Sequence, residues 1–160
     1  MAANREFTEK PAVPVATKEV GRLMQPVLVD LIALSLNGKQ AHWHVQGRHF
    51  TQVHEQLDDL VADARKYADE VAERLIALDV AVDGRPATVG STTALPEFDE
   101  GFLSDDKVVS AIVDQIDAAI RRARAALKPL DEIDQVSQDI IIELLRALEK
   151  HRWMFAAQVT

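Results

Sequence analysis

The sequence contains no cysteine among its 160 residues. This absence excludes disulfides, thiolate zinc sites, iron–sulfur clusters and cysteine nucleophiles together. Any metal chemistry must therefore use histidine and carboxylate ligands, which favour iron, manganese or zinc over copper(I). Neither a glycine-rich phosphate loop nor a GxSxG nucleophile elbow occurs. The sequence thus lacks the usual signatures of nucleotide-binding and serine-hydrolase chemistry.

Long apolar runs are also missing from the sequence. No run of about 18 apolar residues is available to span a bilayer, and the N-terminal sequence lacks the apolar stretch of a secretory signal. We therefore expect a cytoplasmic protein with no membrane segment. The chain carries 18 basic and 26 acidic side chains, for a formal charge of −8. Such a surface repels nucleic acid unless a basic segment protrudes from it.

Glycine and proline are scarce, with six of each, and they fall mainly at the ends and in the middle of the chain. The stretches between them have the apolar periodicity of helices. The sequence predicts an N-terminal arm over residues 1–16 and one domain over residues 17–160. Pro129 is expected to end the third helix. Four helices are predicted: from Thr17, as N-cap, to about Val45, from about Phe50 to about Val80, from Ser104, as N-cap, to about Leu127, and from about Ile133 to about Ala157.

A connector over about residues 83–103 separates the second and third predicted helices. It is too long for a tight hairpin, so we expect it to cross the length of the bundle. Its segment Leu95–Phe98 is a predicted short extra helix. The sequence therefore predicts an all-α fold, a four-helix bundle in which one long crossover joins helices 2 and 3, which is the ferritin-like connection.

One face of the predicted second helix carries four residues of metal-binding type. With His54 at 0°, Asp58, Asp69 and Glu73 lie at about 40°, 60° and 100°. The apolar residues lie at about 220–340°, so the four ligands point away from the subunit's own core. The ligands form two i,i+4 pairs, which is the spacing at which two side chains on one helix can bind one ion.

The two pairs lie about 22 Å apart along the helix axis, too far to share an ion. A two-fold axis near Asp63 would lay a second copy of the helix antiparallel, placing the His54 pair of one subunit beside the Asp69 pair of the other. An intrasubunit di-iron site would need Glu-x-x-His motifs, and no histidine has glutamate three positions before it. The sequence therefore predicts two equivalent metal sites at a subunit interface.

Three stretches of the sequence carry a family signature. They are Lys39–Val45 (KQAHWHV), Val53–Asp58 (VHEQLD) and Tyr67–Arg74 (YADEVAER), and the likeness continues at Ser137–Asp139 and Glu149–Lys150 in the last helix. On these motifs the chain resembles the Dps mini-ferritins, the DNA-binding proteins from starved cells. The likeness covers nearly the whole chain.

The resemblance implies a homo-oligomeric shell of twelve subunits with tetrahedral symmetry. It further implies that Fe²⁺ binds at the two-fold interfaces and is oxidised, usually with hydrogen peroxide in preference to oxygen, and that the ferric mineral is stored inside. Iron is therefore the expected metal. The site ligands implied by the resemblance are His42, His54 and Asp58 of one subunit with Asp69 and Glu73 of its two-fold partner.

Several residues near the predicted site have two interpretations. Asp69 either binds the metal directly or orients an imidazole that does. Trp43, which resembles the family tryptophan beside the site, either quenches stray radicals or chiefly packs at the interface. Arg65, on the same stripe, can pair with a carboxylate across the dimer. The remaining histidines, for which we expect structural or surface roles, are His44, His49 and His151.

An acidic cluster lies where the third predicted helix meets the fourth. Its carboxylates either complement the positive end of a helix dipole or, as the family resemblance implies, line ion-entry pores at a three-fold axis and concentrate Fe²⁺ there. Both interpretations stand at this stage, for each member of the cluster. The members are Asp131, Glu132, Asp134 and Asp139.

The family name also suggests a rival function, that of a nucleoid protein that coats DNA. Relatives that do so usually carry mobile tails rich in lysine and arginine, whereas residues 1–16 hold two basic and two acidic side chains, and the last helix is expected to leave no C-terminal tail. Twelve subunits at −8 each give a formal charge of −96, so we expect DNA binding to be unfavourable at physiological salt. A third possibility is a cage that holds zinc or manganese without turnover.

Overall fold

A computed structural model of the protein describes residues 16–158, so the predicted arm up to residue 15 lies outside the described residues. Four long helices and one short helix make up nearly all of the described part, which confirms the predicted all-α fold with a long crossover. The elements are α1 (Thr17–His44), β1 (Val45–Gln46), α2 (Phe50–Ala77), α3 (Pro86–Thr92), β2 (Leu103–Ser104), α4 (Asp105–Ile133) and α5 (Gln135–Ala156).

The core lies between two helix pairs, α1 with α2 and α4 with α5, and α1 also packs against α4. The apolar stripe predicted on α2 is buried along its whole length. Each fully buried Leu or Val on it contributes about 1.5–3 kcal/mol relative to an exposed position. The buried residues of this stripe are Leu57, Leu60, Val61, Ala64, Tyr67, Ala68, Val71, Leu75 and Leu78.

Helices α1 and α2 approach each other closely near the end of α1. A Cβ atom on Gly38 would lie 2.7 Å from Cγ2 of Val61, closer than packed side chains approach. Glycine at this position therefore allows α2 to lie against the backbone of α1. The contact lies one helical turn before His42, so it also sets the distance between the two helices that carry the histidines predicted to bind metal.

A buried carboxylate attaches the crossover to the bundle. Asp30 of α1 is only 1% exposed. Its Oδ1 accepts hydrogen bonds from the Thr93 hydroxyl at 2.9 Å and from the Ala94 N–H at 2.8 Å. Its Oδ2 accepts one from Nε of Arg122 in α4 at 3.0 Å. One side chain thus joins α1, the crossover and α4.

The far end of the crossover returns to the corner between α1 and α2. There β1 and β2 form a two-residue parallel bridge, in which Val45 pairs with Leu103 and Gln46 pairs with Ser104. The bridge lies directly after α1 and directly before α4. The start of α4 is therefore held next to the corner that leads into α2.

The crossover contains a short extra helix as predicted, but the predicted position at Leu95–Phe98 is wrong. The short helix of the crossover is α3, at Pro86–Thr92. Proline suits the first turn of a helix because its fixed φ is helical and its missing N–H is not needed there. The sequence Asp83–Pro86 (DGRP) has the composition of a helix breaker after the second helix, yet Pro86 begins a new helix there.

The prediction that Pro129 ends the third helix is also wrong, since α4 continues through it to Ile133. An interior proline costs about 3 kcal/mol or more, and full burial of Leu130 in the following turn offsets much of that cost. The Leu130 carbonyl then accepts a 2.7 Å hydrogen bond from the Asp134 N–H. The last helix accordingly begins at Gln135, with Asp134 as its N-cap.

Two smaller expectations also differ from the structure. Thr17 is the first residue of α1 and not its cap, because Ala16 occupies the N-cap position and no side chain caps this end. The apolar periodicity also places Val136 on the core side of the last helix, but this residue is 58% exposed. Among residues 16–158, no helix is long and apolar enough to cross a membrane.

Candidate metal centre

Two histidines from different helices meet at the corner between α1 and α2. His42 lies in the last turn of α1 and is 8% exposed, whereas His54 lies near the start of α2 and is half-buried. Their rings stack with centroids 3.6 Å apart and an interplanar angle of 22°. The close approach of α1 and α2 thus brings together two of the residues predicted to bind metal.

Each imidazole of this pair is held by the backbone of the other residue. Nδ1 of His42 lies 2.9 Å from the His54 carbonyl oxygen, and Nδ1 of His54 lies 2.9 Å from the His42 carbonyl oxygen. Because a carbonyl oxygen only accepts hydrogen bonds, each Nδ1 carries the proton and donates it. In the neutral rings, each Nε2 therefore keeps its lone pair. An imidazole that is protonated at Nδ1 in this way can bind a metal ion through Nε2.

Asp58 lies one turn further along α2 and beside the imidazole pair. Its Oδ1 is 3.3 Å from Nδ1 of His42 and 2.5 Å from Nζ of Lys39 in α1. The side chain of Asp58 is 50% exposed. A hydrogen bond from the Lys39 ammonium lowers the pKa of the Asp58 carboxyl, so the carboxylate is charged and suited to a cation at neutral pH.

An aromatic ring covers the other side of the imidazole pair. The Phe50 ring lies 5.0 Å from the His54 ring, with a tilt of 34° between them. The His54 imidazole is therefore flanked by His42 and Phe50, and its rotation is restricted by both contacts and by its hydrogen bond to the backbone. A ligand held this rigidly needs little reorganisation to bind an ion.

The remaining predicted site residues are not brought to this corner within one chain. Asp69 and Glu73 are exposed on α2, about 22 Å and more along the helix axis from His54. Arg65 is exposed between the two ends, and Trp43 is 64% exposed beside His42. Within residues 16–158 of a single chain, no group of three or more histidine or carboxylate side chains is arranged to hold a metal ion.

The three histidines set aside as structural or surface residues have protein partners. Nδ1 of His44 lies 3.0 Å from the Gln40 carbonyl oxygen. Nε2 of His151 lies 2.8 Å from Oδ2 of Asp63, which joins α5 to α2. The backbone N–H of His49 donates to the Asp105 carboxylate at 2.7 Å. None of these three histidines lies in the stacked pair.

The acidic cluster between α4 and α5 divides into two kinds of carboxylate. Asp134 is buried, and its Oδ2 accepts hydrogen bonds from Ser137 and, at 2.7 Å, from Arg74 of α2. Burial opposes its ionisation, but the hydrogen bonds from Ser137 and Arg74 outweigh that effect and lower the pKa of Asp134. Asp134 therefore links α2 to the junction between α4 and α5. The exposed members are Asp131, Glu132 and Asp139.

The comparisons with known proteins agree with this fold. The ferritin-like domain family matches residues 23–160. A DNA protection during starvation protein from Mycolicibacterium smegmatis is 33% identical over 88% of this chain and 77% of its own length. The solved structure of Dps from Microbacterium arborescens in the high iron form has a TM-score of 0.86 and 41% identity, over 92% of this chain and 97% of that one. This chain belongs to the Dps family.

A second Dps relative differs in length. DNA protection during starvation protein 2 from Deinococcus radiodurans is 32% identical over 96% of this chain, but the chain spans only 64% of that protein's length. The shared part therefore comprises the ferritin-like bundle of this Dps chain, and the histidine corner lies within it.

Lys39 is the residue of this Dps corner that sequence reasoning missed. It belongs to the motif that carried the resemblance, but no role was predicted for it. Its position on α1, three residues before His42, places it on the same side of the helix as that histidine. This spacing was the available signal, and the contact with Asp58 itself depends on how α1 packs against α2.

Proposed function

We propose that this Dps chain is a ferroxidase subunit of a cytoplasmic dodecameric cage with tetrahedral symmetry. It oxidises Fe²⁺ at the two-fold interfaces, and the cage stores the ferric mineral and so limits oxidative damage. The observation that carries this proposal is the stacked pair of His42 and His54, in which backbone hydrogen bonds leave both Nε2 lone pairs free for a metal. A pair of imidazoles with a purely structural role would not need both of these atoms free.

The partner subunit would complete the site. Helix α2 carries His54 and Asp58 near its start and Asp69 and Glu73 nearer its end, all on one face. An antiparallel copy of α2 across a two-fold axis places the carboxylates of one subunit beside the imidazoles of the other. Each interface then holds two equivalent sites, and a subunit alone holds two halves that belong to different sites.

The ligand chemistry fits iron oxidation. Hard carboxylate oxygens from Asp58 and Glu73 favour Fe³⁺ over Fe²⁺ and so lower the reduction potential, and the imidazoles complete the site. Few protein ligands leave positions open for the oxidant. With peroxide, two Fe²⁺, one H₂O₂ and two H₂O give two FeO(OH) and four H⁺, and the peroxide takes both electrons. No hydroxyl radical is formed in this balance.

Trp43 is proposed to act beside the site. It is exposed in the single subunit and follows His42 directly, so the two-fold partner would cover it if α2 lies at the interface. Large exposed aromatic side chains are enriched at interfaces. In this position the indole can reduce radicals that escape from the iron, and it also contributes apolar contact area.

The experiment that tests this function is a stopped-flow record of Fe²⁺ oxidation with peroxide and with air, on protein whose mass is measured by light scattering. We expect fast, peroxide-dependent oxidation by a particle of about twelve subunits, on the basis of the family fold. A small oligomer that does not accelerate oxidation over buffer would contradict the proposal and would leave the fold unaffected.

Lys39 should oppose iron binding, because its ammonium already neutralises Asp58. Replacing it with methionine (Lys39→Met) removes one positive charge from the site. We expect the dissociation constant of Co²⁺, a redox-stable substitute for Fe²⁺, to fall by about fivefold, the size of one exposed charge interaction at short range. Titration calorimetry measures this change.

The matched control for this test is Lys128→Met, which removes an exposed lysine of α4 and should leave Co²⁺ binding unchanged. If Lys39→Met weakens Co²⁺ binding instead, Lys39 serves to orient Asp58 and not to compete with the metal.

DNA binding is the alternative function suggested by the names of the relatives. The net charge of this chain is unfavourable for it. We expect no retardation of duplex DNA at physiological ionic strength, with or without Mg²⁺, in a gel-shift assay that includes a low-salt arm. Retardation at physiological salt would show that the acidic surface does not prevent binding.

A further inference from the structure

Asp105 lies between the starts of two helices. It is the first residue of α4 and is 8% exposed. Its Oδ2 accepts a 2.7 Å hydrogen bond from the backbone N–H of His49, the N-cap residue of α2. Its Oδ1 accepts one from the Asp106 N–H at 3.0 Å. One carboxylate therefore binds the N-terminal ends of both α2 and α4.

The chain of the α1–α2 corner passes directly against this carboxylate. Gly47 has a φ of +141°, a conformation that residues with a Cβ rarely adopt. A Cβ atom at this position would lie 2.4 Å from Cγ of Asp105 and 2.5 Å from each of its oxygens. The corner can therefore reach Asp105 only with glycine at this position.

The same corner is the part of the chain that lies, in sequence, between His42 and His54, whose rings stack. The chain leaves α1 at His44, two residues after His42, and enters α2 at Phe50, four residues before His54. Between these points it makes the β1–β2 bridge and the contact with Asp105. Asp105 follows β2 directly, so the bridge and the carboxylate act together on one short segment.

We propose that Asp105 is a positioning residue for the metal centre, because it fixes where α2 begins relative to the end of α1 and so keeps His42 stacked on His54. The relevance of this positioning role to iron rests on the proposed function. The two reciprocal hydrogen bonds, each 2.9 Å long, are satisfied together only in one register of α1 against α2. A shift of about 1 Å at the start of α2 would break at least one of them.

The charge of Asp105 supports this role. The backbone N–H of His49 lowers the pKa of the Asp105 carboxyl against the opposing effect of burial. A charged carboxylate also interacts favourably with the positive N-terminal ends of both helices. A merely stabilising cap would give the same thermodynamic benefit, so the test must measure site geometry as well as stability.

The test compares Asp105→Ala and Asp105→Asn with the wild type and with Asp106→Ala in the intact oligomer. Asp106 is the exposed neighbour in the same helical turn, so its loss changes the charge near α4 without removing the contact with the corner. Asparagine keeps one acceptor oxygen for His49 and serves as the conservative variant. Co²⁺ affinity, thermal midpoint and a crystal structure are measured for each.

We expect Asp105→Ala to weaken Co²⁺ binding about 10- to 100-fold, the usual effect of losing a group that orients metal ligands. Asp105→Asn should recover most of the affinity, and Asp106→Ala should bind as the wild type does. In the crystal structure of Asp105→Ala, the rings of His42 and His54 should be separated. If the rings stay stacked and Co²⁺ affinity is unchanged while only the thermal midpoint falls, Asp105 is a structural cap and the inference is wrong.

The readouts separate this inference from the proposed function. If wild-type protein binds Co²⁺ but does not oxidise Fe²⁺, the ferroxidase proposal fails, and the Asp105 series still decides the positioning role. If the wild type binds no Co²⁺ at all, the metal proposal fails, and the ring separation in the Asp105→Ala crystal structure decides the question by itself.

Discussion

Replacing His54 and Asp58 together with alanine should slow Fe²⁺ oxidation by at least about 100-fold, because each site loses two of its proposed ligands. His54→Ala also frees the His42 carbonyl and removes the stacking partner of the His42 ring, although that ring keeps its hydrogen bond to the backbone carbonyl at position 54. The expected loss is therefore in the rate at saturating Fe²⁺ and in the affinity for it. Stopped-flow oxidation at several Fe²⁺ concentrations measures both.

The double variant should still assemble. Losing one hydrogen bond of this kind costs about 0.5–1.5 kcal/mol, and neither side chain belongs to the apolar core. His44→Ala with Asp59→Ala is the matched control. It also removes one histidine and one aspartate, but neither of these belongs to the proposed ligands. Light scattering should give the same mass for all three proteins. A double variant that oxidises iron at the wild-type rate would show that the proposed site is in the wrong place.

Replacing Asp30 with alanine should destabilise the protein by about 3–5 kcal/mol, the usual result of removing one partner of a buried ion pair. The change leaves the Arg122 guanidinium without its carboxylate, and it leaves the Thr93 hydroxyl and the Ala94 N–H without their acceptor. For a chain of this length the thermal midpoint should fall by about 10 °C. Circular dichroism during heating measures the shift.

Glu143→Ala is the control for the Asp30 variant. It breaks an exposed pair with Arg146, three residues along α5, and pairs of this kind contribute about 0–1 kcal/mol. Asp30→Asn should fall between the two, because it keeps one acceptor oxygen for the crossover. A midpoint for Asp30→Ala within about 2 °C of the control, under 1 kcal/mol, would mean that the crossover is held mainly by apolar contacts.

The long helices and their faces were predictable from the sequence because apolar residues recur with the helical period over many turns. The α2 stripe from Leu57 to Leu78 is buried as this pattern indicates. Helix ends and local exceptions were less predictable, since they depend on packing. Burial of Leu130 carries α4 through Pro129, and the helical start at Pro86 replaces the one predicted at Leu95.

The candidate site was predictable only in part. Spacing on α2 identified four residues on one face, and the resemblance added His42. Neither source predicts that His42 and His54 hold each other by backbone hydrogen bonds, or that Lys39 contacts Asp58. These contacts join residues from different helices, and their geometry follows from the packing at Gly38 and the path of the corner. The metal-binding roles of His42, His54, Asp58, Asp69 and Glu73 stay predictions, as does the role of Trp43.

The reciprocal hold on the two imidazoles has a consequence for how the protein can vary. The acceptors are main-chain oxygens, which every residue type supplies, so no substitution at another position can remove them. The sequence spacing between His42 and His54 is more restricted. The two residues are 12 positions apart, so any residue inserted or deleted between them changes the register of both hydrogen bonds at once. The proposed metal centre should therefore limit the length of the segment between its histidines more strictly than the identity of most residues in that segment, with Gly47 as an exception because its φ and its contact with Asp105 require glycine.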